Sequence, residues 1–234
     1  MAFFDNTRLP DPDWGIDDKG EGSSSYTKGP GFASVKLSSA QPLMRDRTNS
    51  GKLVTRSQLY HKWNISITYN PMTKAQFAPI YSFLLSKQVS GQPFFVALPQ
   101  YTLDTSSGFG LEVDGKSIRA TSNQSKGANQ FSIINNDNIT DFETPPPAGQ
   151  VLFNLPTTLS WKTFMINFSE LDTNTAPDSI KLHITPALNA DLTTTDFLNF
   201  TNQLFRVVQT GTTYEYDLGT NGLYQFGLKL EEAL

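Results

Sequence analysis

The chain has 234 residues, a formal net charge of −4 and no cysteine. That length buries a core without covalent staples, and the missing cysteines exclude disulfides and thiolate metal sites. No window approaches the ~18 apolar residues of a membrane span, so insertion into a bilayer by a helix is not expected. The opening MAFFDNTRLPDPDW has no early basic region and no long apolar run, and so does not read as a signal peptide. Synthesis in a cytoplasm is the expectation.

The net charge conceals an asymmetry. Between Glu21 and Asp104 the only acid is Asp46, against nine bases, whereas from Asp104 onward fifteen acids face seven bases. One basic and one acidic face suit stacking on acidic neighbours or on copies of the same chain. Direct nucleic-acid binding fits poorly, because only Arg45, Arg47, Lys52 and Arg56 cluster and the whole chain is acidic.

In chain order, residues 1–32 are weakly patterned and read as an extended, partly mobile arm. Ala33–Leu37 is a candidate strand. Residues 40–52 are polar and turn-rich, a long loop or hairpin tip, and Leu53–Leu59 resumes a strand. The next segment carries the strongest pattern. Trp63, Ile65, Ile67 and Tyr69 alternate with polar residues as in a half-buried strand, and Pro71 ends it. Thr73 with Gln76 then forms a candidate capping box, with Met72 and Phe77 as the hydrophobic staple. Phe77, Ile80, Tyr81, Leu84 and Leu85 recur at helical spacing, which predicts one helix over about 73–87, with Pro79 disturbing its early turns. Gly91 and Pro93 end it, and Phe94–Leu98 reads as a strand.

Beyond Tyr101 the composition turns to Thr, Ser, Asn and Gly. Asp114–Gly115 predicts a hairpin between Leu111–Val113 and Ser117–Arg119. Further strands are expected at Phe131–Ile134, over Trp161, Phe164, Ile166 and Phe168, and at Lys181–Ile184, Leu204–Val208, Tyr214–Leu218 and Tyr224–Leu230. Asn221–Gly222 is the expected turn between the last two. The predicted organisation is an arm over 1–32, a β domain with one helix from 33–103 plus 200–234, and an inserted β-rich module over 104–199.

Catalytic chemistry is not legible. His61 and His183 each sit in a strand pattern and read as structural. No nucleophile elbow, P-loop or G-x-G-x-x-G occurs, so neither catalytic nor cofactor-binding residues are assigned. Asp11, Asp13, Asp17 and Asp18 lack the glycine and terminal glutamate of a calcium loop, so no metal site is assigned either.

The stretch from Ser50 to Pro99 resembles the tail-tip proteins of bacteriophages, specifically the distal-tail and tail-tube-initiator group. The resemblance is carried by a basic, Gly-containing lead-in (Ser50–Arg56), the aromatic strand His61–Trp63, the Y-x-P-M-T run Tyr69–Thr73, the apolar helix Phe77–Leu85, and the aromatic strand Phe94–Pro99. The C-terminal GTNGLYQFGLKLEEAL is similar to the group's last strand. The resemblance covers about half the chain and transfers no catalytic residue.

That resemblance implies a mainly β (α+β) fold, a tail-tube-like β-sandwich or split barrel with one flanking helix and an inserted small β domain. It implies a non-enzymatic structural protein of the virion tail, made in the host bacterial cytoplasm. Copies would close into a ring, usually a hexamer in that group, at the end of the tail tube. The ring would nucleate the tube or link it to the hub and peripheral baseplate, with DNA only passing through the lumen. Arg45, Arg47, Lys52 and Arg56 are the candidate subunit contacts, arginine being suited to forked bonds with a neighbour's carboxylates. Trp63, Ile65, Phe77, Ile80, Leu84 and Phe226 are the candidate core. Two rival functions are a carbohydrate-binding adsorption module presenting aromatics around Trp161 and a tail-associated glycan hydrolase working through an acid pair, although scattered acids such as Asp137, Asp141 and Glu143 cannot be paired from sequence.

Overall fold

A computed structural model describes residues 7–17, 21–26, 28–57, 60–135, 142–155, 162–172, 179–201, 203–211 and 215–233. In chain order the strands are β1 (Gly15–Ile16), β2 (Gly22–Ser23), β3 (Phe32–Ala40), β4 (Leu43–Arg47), β5 (Leu53–Ser57), β6 (Lys62–Tyr69), β7 (Phe94–Ala97), β8 (Ile118–Ala120), β9 (Gln130–Asn135), β10 (Val151–Leu155), β11 (Thr163–Asp172), β12 (Ser179–Thr185), β13 (Phe197–Asn199), β14 (Leu204–Gln209), β15 (Tyr216–Leu218) and β16 (Tyr224–Glu232). The helices are α1 (Lys74–Ser90) and the short α2 (Gly108–Val113). The fold is therefore mainly β with one main helix. It divides into two compact units, Met1–Ala97 with Arg206–Ala233, and Leu98–Phe205.

The first unit is a sheet ordered β3-β6-β16-β14-β7, with β15 paired to the start of β16. Trp63, Ile65, Ile67 and Tyr69 are buried along β6, and Phe226, Leu228 and Leu230 along β16. The period of two in the sequence thus places one face of each strand inward. Helix α1 covers that face, with the Phe77 ring edge-on to Phe226 at 5.5 Å and Phe83 edge-on to Phe94 at 5.4 Å. Thr73 is the N-cap, and Gln76 Oε1 accepts from its backbone N–H and its hydroxyl, each at 3.2 Å. Gly91 ends the helix in the left-handed region, φ 60°. Pro79 sits early in the helix without ending it. Phe77, Ile80, Phe83 and Leu84 are buried, while Leu85, expected on the apolar face, is exposed. The inward stripe follows i, i+3, i+6/i+7 from Phe77, and Leu85 falls just off it. Truncating such a buried leucine costs roughly 2–5 kcal/mol.

Residues 1–32 were expected as a partly mobile arm, yet the described part is docked. The Leu9 N–H donates to the Phe95 carbonyl at 2.8 Å and the Phe95 N–H to the Thr7 carbonyl at 2.6 Å, covering the β7 edge. Leu9 and Ile16 are buried, and buried Asp11 accepts from Arg8 Nε at 2.9 Å and from the Asp13 N–H at 2.8 Å. A few buried apolar side chains and one paired charge are enough to fix a segment whose composition alone looks like linker.

The second unit is a closed antiparallel barrel, β10-β11-β12-β9-β8-β13, closed by β13 on β10. Its own core includes Phe109, Ile118, Phe131, Ile133, Leu152, Phe164, Ile166, Leu182 and Phe200. Side chains fill a barrel of this strand number. Leu111–Val113, expected as a hairpin strand before Asp114–Gly115, is instead the end of α2. Phe109 and Val113, one helical turn apart, are buried in the barrel core, so packing overrides the turn signal. A register shift between Ile166 and Phe168 in β11 interrupts the expected inward alternation. Phe168 is turned outward there and stacks on His183 at 3.8 Å.

Candidate functional site

Residues 40–52, read from sequence as a long loop or hairpin tip, belong to a two-stranded hairpin. Strands β4 and β5 pair only with each other among the described residues. The Thr48 N–H donates to the Lys52 carbonyl at 3.0 Å and the Gly51 N–H to the Thr48 carbonyl at 2.8 Å. Gly51 has φ 82°, which a side chain would strain. The three-residue loop Asn49–Ser50–Gly51 thus closes the hairpin by local chemistry.

The root of the hairpin is pinned to the sheet. Ser39 Oγ, at the end of β3, lies 2.9 Å from Nε2 of buried His61, just before β6. Lys62 pairs with Glu231, and the Trp63 N–H donates to Glu232 Oε2 at 3.2 Å. His61 packs edge-on to Trp63 at 4.6 Å. His61 is thus a structural group at the point where the hairpin leaves the sheet.

Beyond that root every described side chain of β4 and β5 is exposed. Cross-strand partners are Arg45 with Thr55, Arg47 with Leu53, and Met44 with Arg56. Arg45 and Arg47 therefore share one face, and Met44, Asp46, Val54 and Arg56 share the other. Lys52 sits at the tip. Arg45, Arg47, Lys52 and Arg56 make no side-chain ion pair among the described residues. Sequence reasoning missed the apolar residues between them. Leu43, Met44, Leu53 and Val54 are 49%, 61%, 53% and 48% exposed, too much for two strands that bury nothing. Two apolar pairs flanking a Thr-Asn-Ser-Gly turn were the available signal. An exposed, open-edged hairpin with this composition is a contact surface or an aggregation hazard.

The candidate core residues Trp63, Ile65, Phe77, Ile80, Leu84 and Phe226 are all buried in the first unit. Among the described residues no group of three or more His, Cys, Asp or Glu is placed to hold a metal ion. His61 and His183 belong to different units. Trp161, Asp137 and Asp141, on which the rival readings leaned, lie outside the described residues. No helix among the described residues is long and apolar enough to cross a membrane.

Two comparisons bear on this arrangement. A family profile described as distal tail protein pb9, A domain, N-terminal, matches residues 23–101, the span holding the hairpin, β6, α1 and β7. The distal tail protein pb9 of Escherichia phage T5 is 31% identical to this chain over 234 aligned residues, spanning 97% of this chain and 100% of that relative. The chain belongs to the distal tail protein pb9 family. As a distal tail protein it is a structural component of a bacteriophage tail and is located in the virion tail, in association with other tail proteins. The His-Lys-Trp and Tyr-Asn-Pro-Met-Thr segments by which the sequence resembled that group fall in the matched span and form the hairpin root and the entry to α1.

Proposed function

We propose that this distal tail protein forms a ring of identical copies, six by the resemblance, at the end of the tail tube. The ring links or nucleates the tube and joins it to the hub and peripheral baseplate, and DNA passes through its lumen without being bound. The work is mechanical and non-enzymatic. The observation that carries this reading is the β4–β5 hairpin, a rooted arm with exposed arginines and exposed apolar residues and nothing of its own unit beneath it. Such an arm is stabilised by burial on another molecule, and ring closure satisfies every arm at once.

Arg45→Glu with Arg47→Glu tests it. The double variant should keep the wild-type melting temperature, because both side chains are exposed and make no ion pair among the described residues. It should also lose ring formation and tail incorporation in negative-stain images of purified protein and of particles from a complementation assay. Normal rings and normal incorporation would remove the arm from assembly.

A further inference from the structure

We propose that the β4–β5 hairpin of one copy adds edge to edge onto β15 of a second copy. Arg45 and Arg47 then lie against Asp217 and Glu215, Met44 lies against Leu218, and Asp46 falls opposite Tyr216. This rests on the assembly role of the hairpin proposed above and names the surface that receives it.

Both edges are available. Strand β15 pairs β16 on one side, and no strand pairs its other side among the described residues. An exposed short strand edge is a template for a strand from another chain. The side-chain alternation also matches. Tyr216 and Leu218 pair with Phe226 and Tyr224, which places them on the helix side of the sheet. Glu215 and Asp217 take the opposite side, where Glu215 borders a cleft with Ser66, Thr68 and Lys229. The hairpin likewise carries Arg45 and Arg47 on one face and Met44, Asp46, Val54 and Arg56 on the other. Pairing the two edges sets Arg45 and Arg47 against the acids on one face, and on the other it sets Met44 against Leu218 and Asp46 opposite Tyr216.

The receiving surface is preorganised. Tyr216 is 46% and Leu218 57% exposed. The Tyr216 ring nevertheless packs on Phe77 at 5.0 Å and on Tyr81 at 5.5 Å, and Phe77 stacks on Tyr224 at 4.5 Å. Rigid tyrosines with one face wet are the residues that anchor interfaces.

The register makes the contact intermolecular. Ala40 pairs with Lys62 at one end of the sheet and Phe32 with Tyr69 at the other. Gly227 pairs with Thr68, and Glu231 with Asn64. The hairpin therefore leaves from the Lys62 end, and β15, bound to Tyr224–Phe226, lies at the Tyr69 end. Arm and receiver occupy opposite ends of one sheet, so the contact is head to tail. Repeated head-to-tail contacts close into rings or extend into filaments.

The chain has no cysteine, so introduced ones report cleanly. Arg45→Cys with Asp217→Cys in one chain, treated with diamide in purified assemblies and in tail particles, should give a ladder of disulfide-linked multimers on a non-reducing gel. Each single variant should give nothing beyond dimers. In parallel, Glu215→Lys with Asp217→Lys should block assembly as Arg45→Glu with Arg47→Glu does, and the four changes combined should restore it, with circular dichroism confirming folding throughout. If reversing the arm blocks assembly but no ladder forms and the combined variant stays monomeric, β15 is not the receiver and the arm's role survives. If reversing the arm has no effect, the assembly role and this inference both fall.

Discussion

Tyr69 is the residue where burial and polarity conflict most sharply. It is fully buried between Phe32, edge-on at 5.2 Å, and Phe226, stacked at 4.6 Å, and its hydroxyl has no hydrogen-bond partner among the described groups. Burial pushes the phenol far above its ordinary value of 10, and the Asp11 carboxylate adds to the rise. A group whose folded pKa is raised keeps its full contribution below the unfolded pKa and loses it as pH rises. The unfolded chain therefore gains stability by releasing this proton above about pH 10. Tyr69→Phe removes an unsatisfied buried oxygen and keeps the ring. We expect it to be neutral or stabilising by up to about 1 kcal/mol at pH 7. Its stability should also fall less steeply than wild type between about pH 9 and 11. Urea unfolding across that range checks both, and a clear loss of stability at pH 7 would mean that the hydroxyl is bonded after all.

Among the elements, α1 was legible because its cap, its apolar stripe and its C-terminal glycine agree with one another. Helix α2 was not, because six residues with two glycines carry no periodic signal. It is held by packing. Gly110 approaches Asp104 so closely that a Cβ would fall onto the Asp104 carbonyl oxygen. The backbone there has no room to yield without moving Phe109 and Val113 out of the barrel core. Gly110→Ala is therefore expected to cost several times the ~0.5–1 kcal/mol of an ordinary glycine effect, and in this case the sign is unfavourable. Gly115→Ala, with open space around a left-handed backbone at φ 65°, should cost about 1 kcal/mol. Denaturant midpoints of the two variants, compared in the same buffer, test that order.

For the whole molecule, the charge asymmetry follows the two units. Leu98–Phe205 carries five bases and eleven acids, a net −6, and the rest of the chain a net +2. Each unit also has its own core, with the barrel core drawn wholly from within Leu98–Phe205. Separate cores unfold as separate cooperative units unless a large apolar interface couples them. Differential scanning calorimetry of the intact chain should therefore resolve two transitions. Gly110→Ala should lower only one of them, and Arg45→Glu with Arg47→Glu neither. A single transition moved by a barrel substitution would show that the cores fold as one.

The sequence by itself determined the strand–helix–strand run from Lys62 to Ala97. There, short-range periodicity, capping and turn chemistry all specify the same structure, and the family resemblance rests on those same residues. It also located the basic cluster at 45–56. Only the tertiary structure decided that the cluster stands on a projecting hairpin, that four apolar residues lie exposed beside it, and that β15 sits at the far end of the same sheet. Those facts depend on which strand pairs with which, over separations as long as that between Lys62 and Glu231. Local propensity carries no record of such pairings. The docking of residues 7–17, the helical state of Leu111–Val113 and the outward turn of Phe168 were likewise settled by long-range burial, which overrides weak local preference wherever an apolar side chain finds a partner distant in sequence.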